Sequence, residues 1–150
     1  MRFSVLTLLA VLSLLCSTLY AQEKVFIGSI QCKDCHEEQY DNFTKYSKKA
    51  NSFSSIKKME KKLLPGEYQE CFQCHTTGFG QNGGFVSESG TPDLKNPGCE
   101  VCHGPGSLHA ESQDPEDIIT EIDIETCISC HNQDRVNEFN FKPLLYSGGH

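Results

Sequence analysis

Eight cysteines and four histidines carry the first legible chemistry of the chain. They fall into four arrangements of one spacing: Cys32-Lys33-Asp34-Cys35-His36, Cys71-Phe72-Gln73-Cys74-His75, Cys99-Glu100-Val101-Cys102-His103 and Cys127-Ile128-Ser129-Cys130-His131. Two thiols three positions apart lie on one side of a helical turn, and the next residue falls beside them. Both thiols can then add to the two vinyl groups of one porphyrin while the histidine binds its iron. Each motif is therefore a c-type haem attachment signature. With six His in 150 residues, a chance His after all four pairs has odds of about 3 in a million. A disulfide framework has no use for those histidines. Zinc sites join two such pairs at short range, whereas here 35, 24 and 24 residues intervene. Thioredoxin-like chemistry needs one pair on a βαβ frame, not four. The expectation is four covalent haems, attached at Cys32, Cys35, Cys71, Cys74, Cys99, Cys102, Cys127 and Cys130, with His36, His75, His103 and His131 as proximal iron ligands.

The ninth cysteine, Cys16, belongs to a different segment. Arg2 is followed by an apolar run from Phe3 to Leu15, then by Ser17, Thr18 and Tyr20-Ala21. This is the layout of a secretory signal peptide spanning 1–21. Leu15 stands where a lipoprotein signal would carry a small residue, so Cys16 reads as part of the leader. The alternative is an uncleaved anchor on the outer face of the inner membrane. Export places residues 22–150 in the periplasm, with an extracellular location as the alternative; without a long linker they read as a single domain.

The elements that must position four haems are short. Only 37% of the chain is hydrophobic and it has no Trp, a thin supply for an apolar core. Porphyrins should then form most of the core, inside a mainly α shell of short helices and loops with little β structure. Helical patterns cover Glu37 to Lys49 and Ser52 to Lys62, the latter ended by Pro65-Gly66. Short helices from Glu67 to His75 and Glu121 to His131 lead into motifs. Gly78 to Gly98, rich in glycine with Pro92 and Pro97, reads as loop with a small hairpin.

The formal charge of −7 argues against nucleic-acid binding, which needs a basic surface, and against a polybasic membrane module. Any membrane contact would come through a partner or an uncleaved leader. Charge is segregated: seven basic residues lie between Lys45 and Lys62, and seven acids without a base lie between Glu111 and Glu125. Two solvated faces are the plain reading. The sharper reading is a dipole that orients redox donor and acceptor proteins.

The run CFQCHTTGFGQNGGF from Cys71 to Phe85, with GCEVCHGPG from Gly98 to Gly106, resembles the tetrahaem cytochrome c-554 family, which is related to the haem core of hydroxylamine-oxidising and nitrite-reducing proteins. The likeness extends more weakly from Gly28 to His131. It implies a compact, mainly helical four-haem electron shuttle of the periplasm. His109, in CHGPGSLH, resembles a distal ligand position of the family. The family's Trp and distal-ligand His-Ala fall here on Phe43 and on Lys48 or Lys49, before Ala50.

After the four proximal ligands, His109 and His150 are the remaining histidines, so one chain makes at most two bis-His haems. His150 could bind its own chain or reach a neighbouring copy, one route to a homo-oligomer. Met59, Lys48 and Lys49 are further distal candidates, and any other iron stays five-coordinate. The leading function is electron transfer, with no catalytic residue assigned. The alternatives are reduction of a small nitrogen oxide at an open haem, and a subunit of a haem filament or membrane redox complex.

Overall fold

The computed structural model describes residues 22–132. Residues 1–21, the expected signal peptide, and residues 133–150, with His150, lie outside the described residues. The described residues are helical turns and loops without a strand, as expected of a mainly α chain. No helix among them is long and apolar enough to cross a membrane.

Helix α1, Ser29–Cys32, opens the first motif, and α2, Glu37–Tyr46, follows it. Glu37 and Glu38 in the first turn of α2 and Lys45 in its last suit the helix dipole. This helix ends three residues before the expected Lys49. Ser47 turns extended, and its hydroxyl accepts from the Lys49 N–H at 3.3 Å, opening a 3₁₀ turn over Lys48–Asn51. A serine so placed competes with the helix for backbone hydrogen bonds. The expected Ser52–Lys62 helix is likewise two pieces: α3, Phe53–Lys57, and a 3₁₀ turn over Glu60–Lys62.

Pro65 does not follow a helix end; it starts α4, Pro65–Glu70. At the first helical position its missing N–H costs nothing and its fixed φ suits the helix. The Glu67 carboxylate accepts from the Leu64 N–H at 2.8 Å, covering a second end donor. Helix α5, Phe72–His75, is the second motif. Then come α6, Cys99–His103, and α7, Ser107–Ser112. Helix α8, Ile124–Ile128, occupies only part of the expected Glu121–His131 helix and is capped by Asp123, which accepts from the Glu125 N–H at 3.1 Å.

The 76–98 segment forms no hairpin strand. It is pinned instead by Thr77, which is buried. The Thr77 N–H donates to Leu94 O and its carbonyl accepts from Phe85 N–H, both at 2.9 Å. Its hydroxyl donates to Asn96 O (2.7 Å) and accepts from Gly98 N–H (2.9 Å). Gly78 must be glycine here: its φ is +69°, and a Cβ would lie 2.6 Å from the Phe26 ring.

Side chains supply a core of their own among the described residues. Phe26, Phe53, Ile56, Tyr68, Phe72, Phe85 and Leu94 form one buried cluster. Phe72 is its hub, with ring centres of Tyr68, Phe79, Phe85 and Phe53 at 4.9, 5.3, 5.3 and 5.9 Å. Low overall hydrophobicity concealed this because the apolar residues are few but aromatic, and each ring buries a large area. Phe72 also lies between Cys71 and Cys74, so the core and the second haem motif share one helical turn.

Candidate haem sites

All four motifs are helical turns. The histidine N–H donates four residues back to the first cysteine's carbonyl in the first, second and fourth: His36 to Cys32 (2.9 Å), His75 to Cys71 (3.0 Å) and His131 to Cys127 (2.9 Å). The third lies within α6. Each turn thus brings two thiols and one imidazole to one side, as the spacing predicted.

Backbone carbonyls orient three of the imidazoles. His75 Nδ1 donates to Ser52 O at 3.0 Å, His103 Nδ1 to Ile119 O at 2.6 Å, and His109 Nδ1 to Asp114 O at 2.9 Å. A proton committed at Nδ1 leaves Nε2 as the lone-pair nitrogen, the tautomer that an iron ligand needs. The segments bearing these carbonyls follow from local chemistry. Ser52 precedes α3. Asp114 caps the 3₁₀ turn over Pro115–Asp117, its side chain accepting from the Glu116 N–H at 2.9 Å. Ile119 returns a second bond, its N–H donating to His103 O at 3.0 Å.

His36 and His109 come together although 73 residues apart, with ring centres 6.1 Å apart and planes 19° from parallel. A metal–nitrogen bond of about 2 Å on each side, with about 1 Å from nitrogen to ring centre, makes about 6 Å between two imidazoles that share one iron. In separation, His36 and His109 would suit two imidazoles that hold one haem iron. His109 is the spare histidine that the sequence singled out.

Contacts between motifs set their neighbours. The first and third motifs touch: the thiols of Cys32 and Cys99 share a hydrogen bond, which pushes Cys32 up and holds Cys99 down. The Ser29 hydroxyl accepts from the Cys99 N–H at 3.0 Å. Burial raises Cys102, and the nearby thiols of Cys127 and Cys130 add to that, so the third motif adjoins the fourth. Cys130 Sγ lies 4.0 Å from Gln73 O, joining the fourth motif to the second. The contacts run first, third, fourth, second.

The remaining candidates divide. Lys49 is half-buried; its charge offsets part of the rise at Cys102 and adds to the fall that burial causes at His131. Lys48 is exposed, and Met59 is 49% exposed on the turn before Glu60. His150 lies outside the described residues. In the basic run, Lys57 bridges Glu60 and Glu88, which raise its pKa. The exposed lysines beside it are Lys58, Lys61 and Lys62.

Sequence reading missed Glu100. This residue lies inside the third motif and is 2% exposed. Its Oε1 accepts from Ile27 N–H (2.9 Å) and Gly106 N–H (2.8 Å), and its Oε2 from Gly28 N–H (2.8 Å). Counted by charge alone it was one acid among twenty; its presence in the GCEVCHGPG run was the available signal. The carbonyls of Ser52, Asp114 and Ile119 had no such signal, because backbone acceptors leave no mark on residue type.

The family described as cytochrome c554 and c-prime matches residues 31–104. The chain is 37% identical over 97 residues to cytochrome c-554 of Nitrosomonas europaea, an alignment covering 57% of this chain and 41% of that protein. The chain thus spans less than half the length of this curated relative. No solved structure matches the chain significantly.

Proposed function

We propose that the chain, whose residues 31–104 match the family described as cytochrome c554 and c-prime and which is similar to a cytochrome c-554, is an exported, periplasmic electron carrier with four covalent haems. The observation that carries the reading is the His36–His109 pair at 6.1 Å, set among four helical CxxCH turns. Haem supplies a one-electron iron couple. The chain supplies the rest: eight thiols as tethers, four proximal imidazoles, and carbonyls at Ser52, Ile119 and Asp114 that hold ring orientation. The motif contacts in the order first, third, fourth, second support a route through closely spaced centres. Leader cleavage after Ala21 is part of this proposal, as are donor and acceptor proteins steered by the basic 45–62 run and the acidic 111–125 run.

A second reading, reduction of a small nitrogen oxide, rests on one observation: six histidines cannot give four irons two imidazoles each. Anaerobic coulometric titration of the holoprotein separates the two. Electron transfer predicts four electrons per chain, taken up and returned reversibly, with no oxidation of the reduced protein by added nitric oxide. Catalytic consumption of nitric oxide by the reduced protein would overturn it in favour of the second reading.

A further inference from the structure

Glu100 is a buried carboxylate that the covalent and axial chemistry above leaves unused. It ties three segments. Ile27 and Gly28 lead directly into α1 and the motif of His36. Gly106 is the residue before α7, which carries His109. Glu100 itself stands in α6 between two haem-attachment cysteines. A neutral tether runs beside it: the Ser107 hydroxyl accepts from Val25 N–H at 2.9 Å, and Ser107 N–H donates to Val25 O at 3.3 Å.

The residue type matters. Three backbone donors converge on two oxygens, and a carboxylate accepts at both. A glutamine would keep one oxygen and turn its NH₂ towards a third donor. Burying an ionised carboxylate is costly unless it is fully hydrogen-bonded, and here the bonds are supplied. A fixed negative charge in a site of low effective dielectric favours ferric over ferrous iron nearby.

We propose that Glu100 is a positioning residue for the haem that His36 and His109 would hold: its carboxylate clamps the two segments that carry these imidazoles, and its charge holds down the reduction potential of haem beside it. This rests on the c-type haem reading of the two histidines.

The test is potentiometric titration of the holoprotein, read optically, for wild type, Glu100→Gln, Glu100→Asp and Ser107→Ala, after intact mass has shown the haem load of each. Glu100→Gln should move one component of the titration to higher potential. Glu100→Asp, which keeps the charge, and Ser107→Ala, which removes a neutral tether, should leave that component near its wild-type position. An unshifted Glu100→Gln, or an equal shift in Glu100→Asp or Ser107→Ala, would overturn the charge role. Hydrogen exchange on the wild-type holoprotein tests the clamp even where Glu100→Gln does not accumulate. The amides of Ile27, Gly28 and Gly106 should be strongly protected, and fast exchange at them would refute the clamp. A wild type without haem would instead defeat the reading on which the proposal rests.

Discussion

Replacing Phe72 by alanine tests whether side chains, and not porphyrin alone, hold this fold together. The substitution leaves Cys71, Cys74 and His75 in place, so covalent attachment chemistry is untouched. It removes the ring at the centre of the aromatic cluster, which meets four others at 4.9 to 5.9 Å and is only 9% exposed. A buried Phe→Ala change costs about 3–5 kcal/mol through lost burial and the cavity left behind. That is a large part of the 5–15 kcal/mol typical of a domain, by order of magnitude about a third. At about 3–5 °C per kcal/mol for a chain of this size, Tm should fall by about 10–20 °C. Phe72→Leu keeps most of the volume and loses the edge-to-face pairs, each worth about 0.5–1.5 kcal/mol; its Tm should fall by less than that of Phe72→Ala. The assay is thermal unfolding of the holoproteins followed by circular dichroism, with haem content matched by mass. If Phe72→Ala melts within a few degrees of wild type at full haem load, the haems carry the core and the packing argument is wrong.

Two further outcomes follow from the site. His109→Ala should convert one low-spin haem to high-spin, removing one haem's share of the low-spin intensity in electron paramagnetic resonance and raising one potential; an unchanged spectrum would remove His109 from the ligand set. Neutralising Lys58, Lys61 and Lys62 together should flatten the salt dependence of electron exchange with an acidic partner, because exposed charges are screened over about 8 Å at physiological ionic strength. Adding Lys57 to that set should change little more, since Glu60 and Glu88 already offset its charge, and a large further effect would contradict the pairing.

The motifs were legible because their chemistry is local: CxxCH fits one helical turn, and one turn is what each forms. His109 was legible by subtraction, as one of two histidines left over. The partner of His109 was not, because its pairing with His36 depends on how the chain folds across 73 residues. Helix limits failed where one residue had two uses. Pro65 reads as a stop yet serves as a first helical residue, and Glu67 two positions on was the sign of a start. Ser47 reads as a tolerated helical residue yet captures the Lys49 N–H and breaks the helix. The 76–98 loop owes its shape to one buried threonine, Thr77, whose bonds reach residues 8 to 21 positions away. Glu100 was hidden because burial, not composition, separates a clamp from a solvated acid.

The central claim is that four haems are covalently held on one chain, and intact mass under denaturing conditions tests it most directly. Mature holoprotein from a host with cytochrome c maturation should show residues 22–150 plus four haem masses, and changing Cys99 and Cys102 together to alanine should remove one of them. Fewer than four haem masses on fully matured wild type, or a double variant that still carries as many as wild type, would contradict the account.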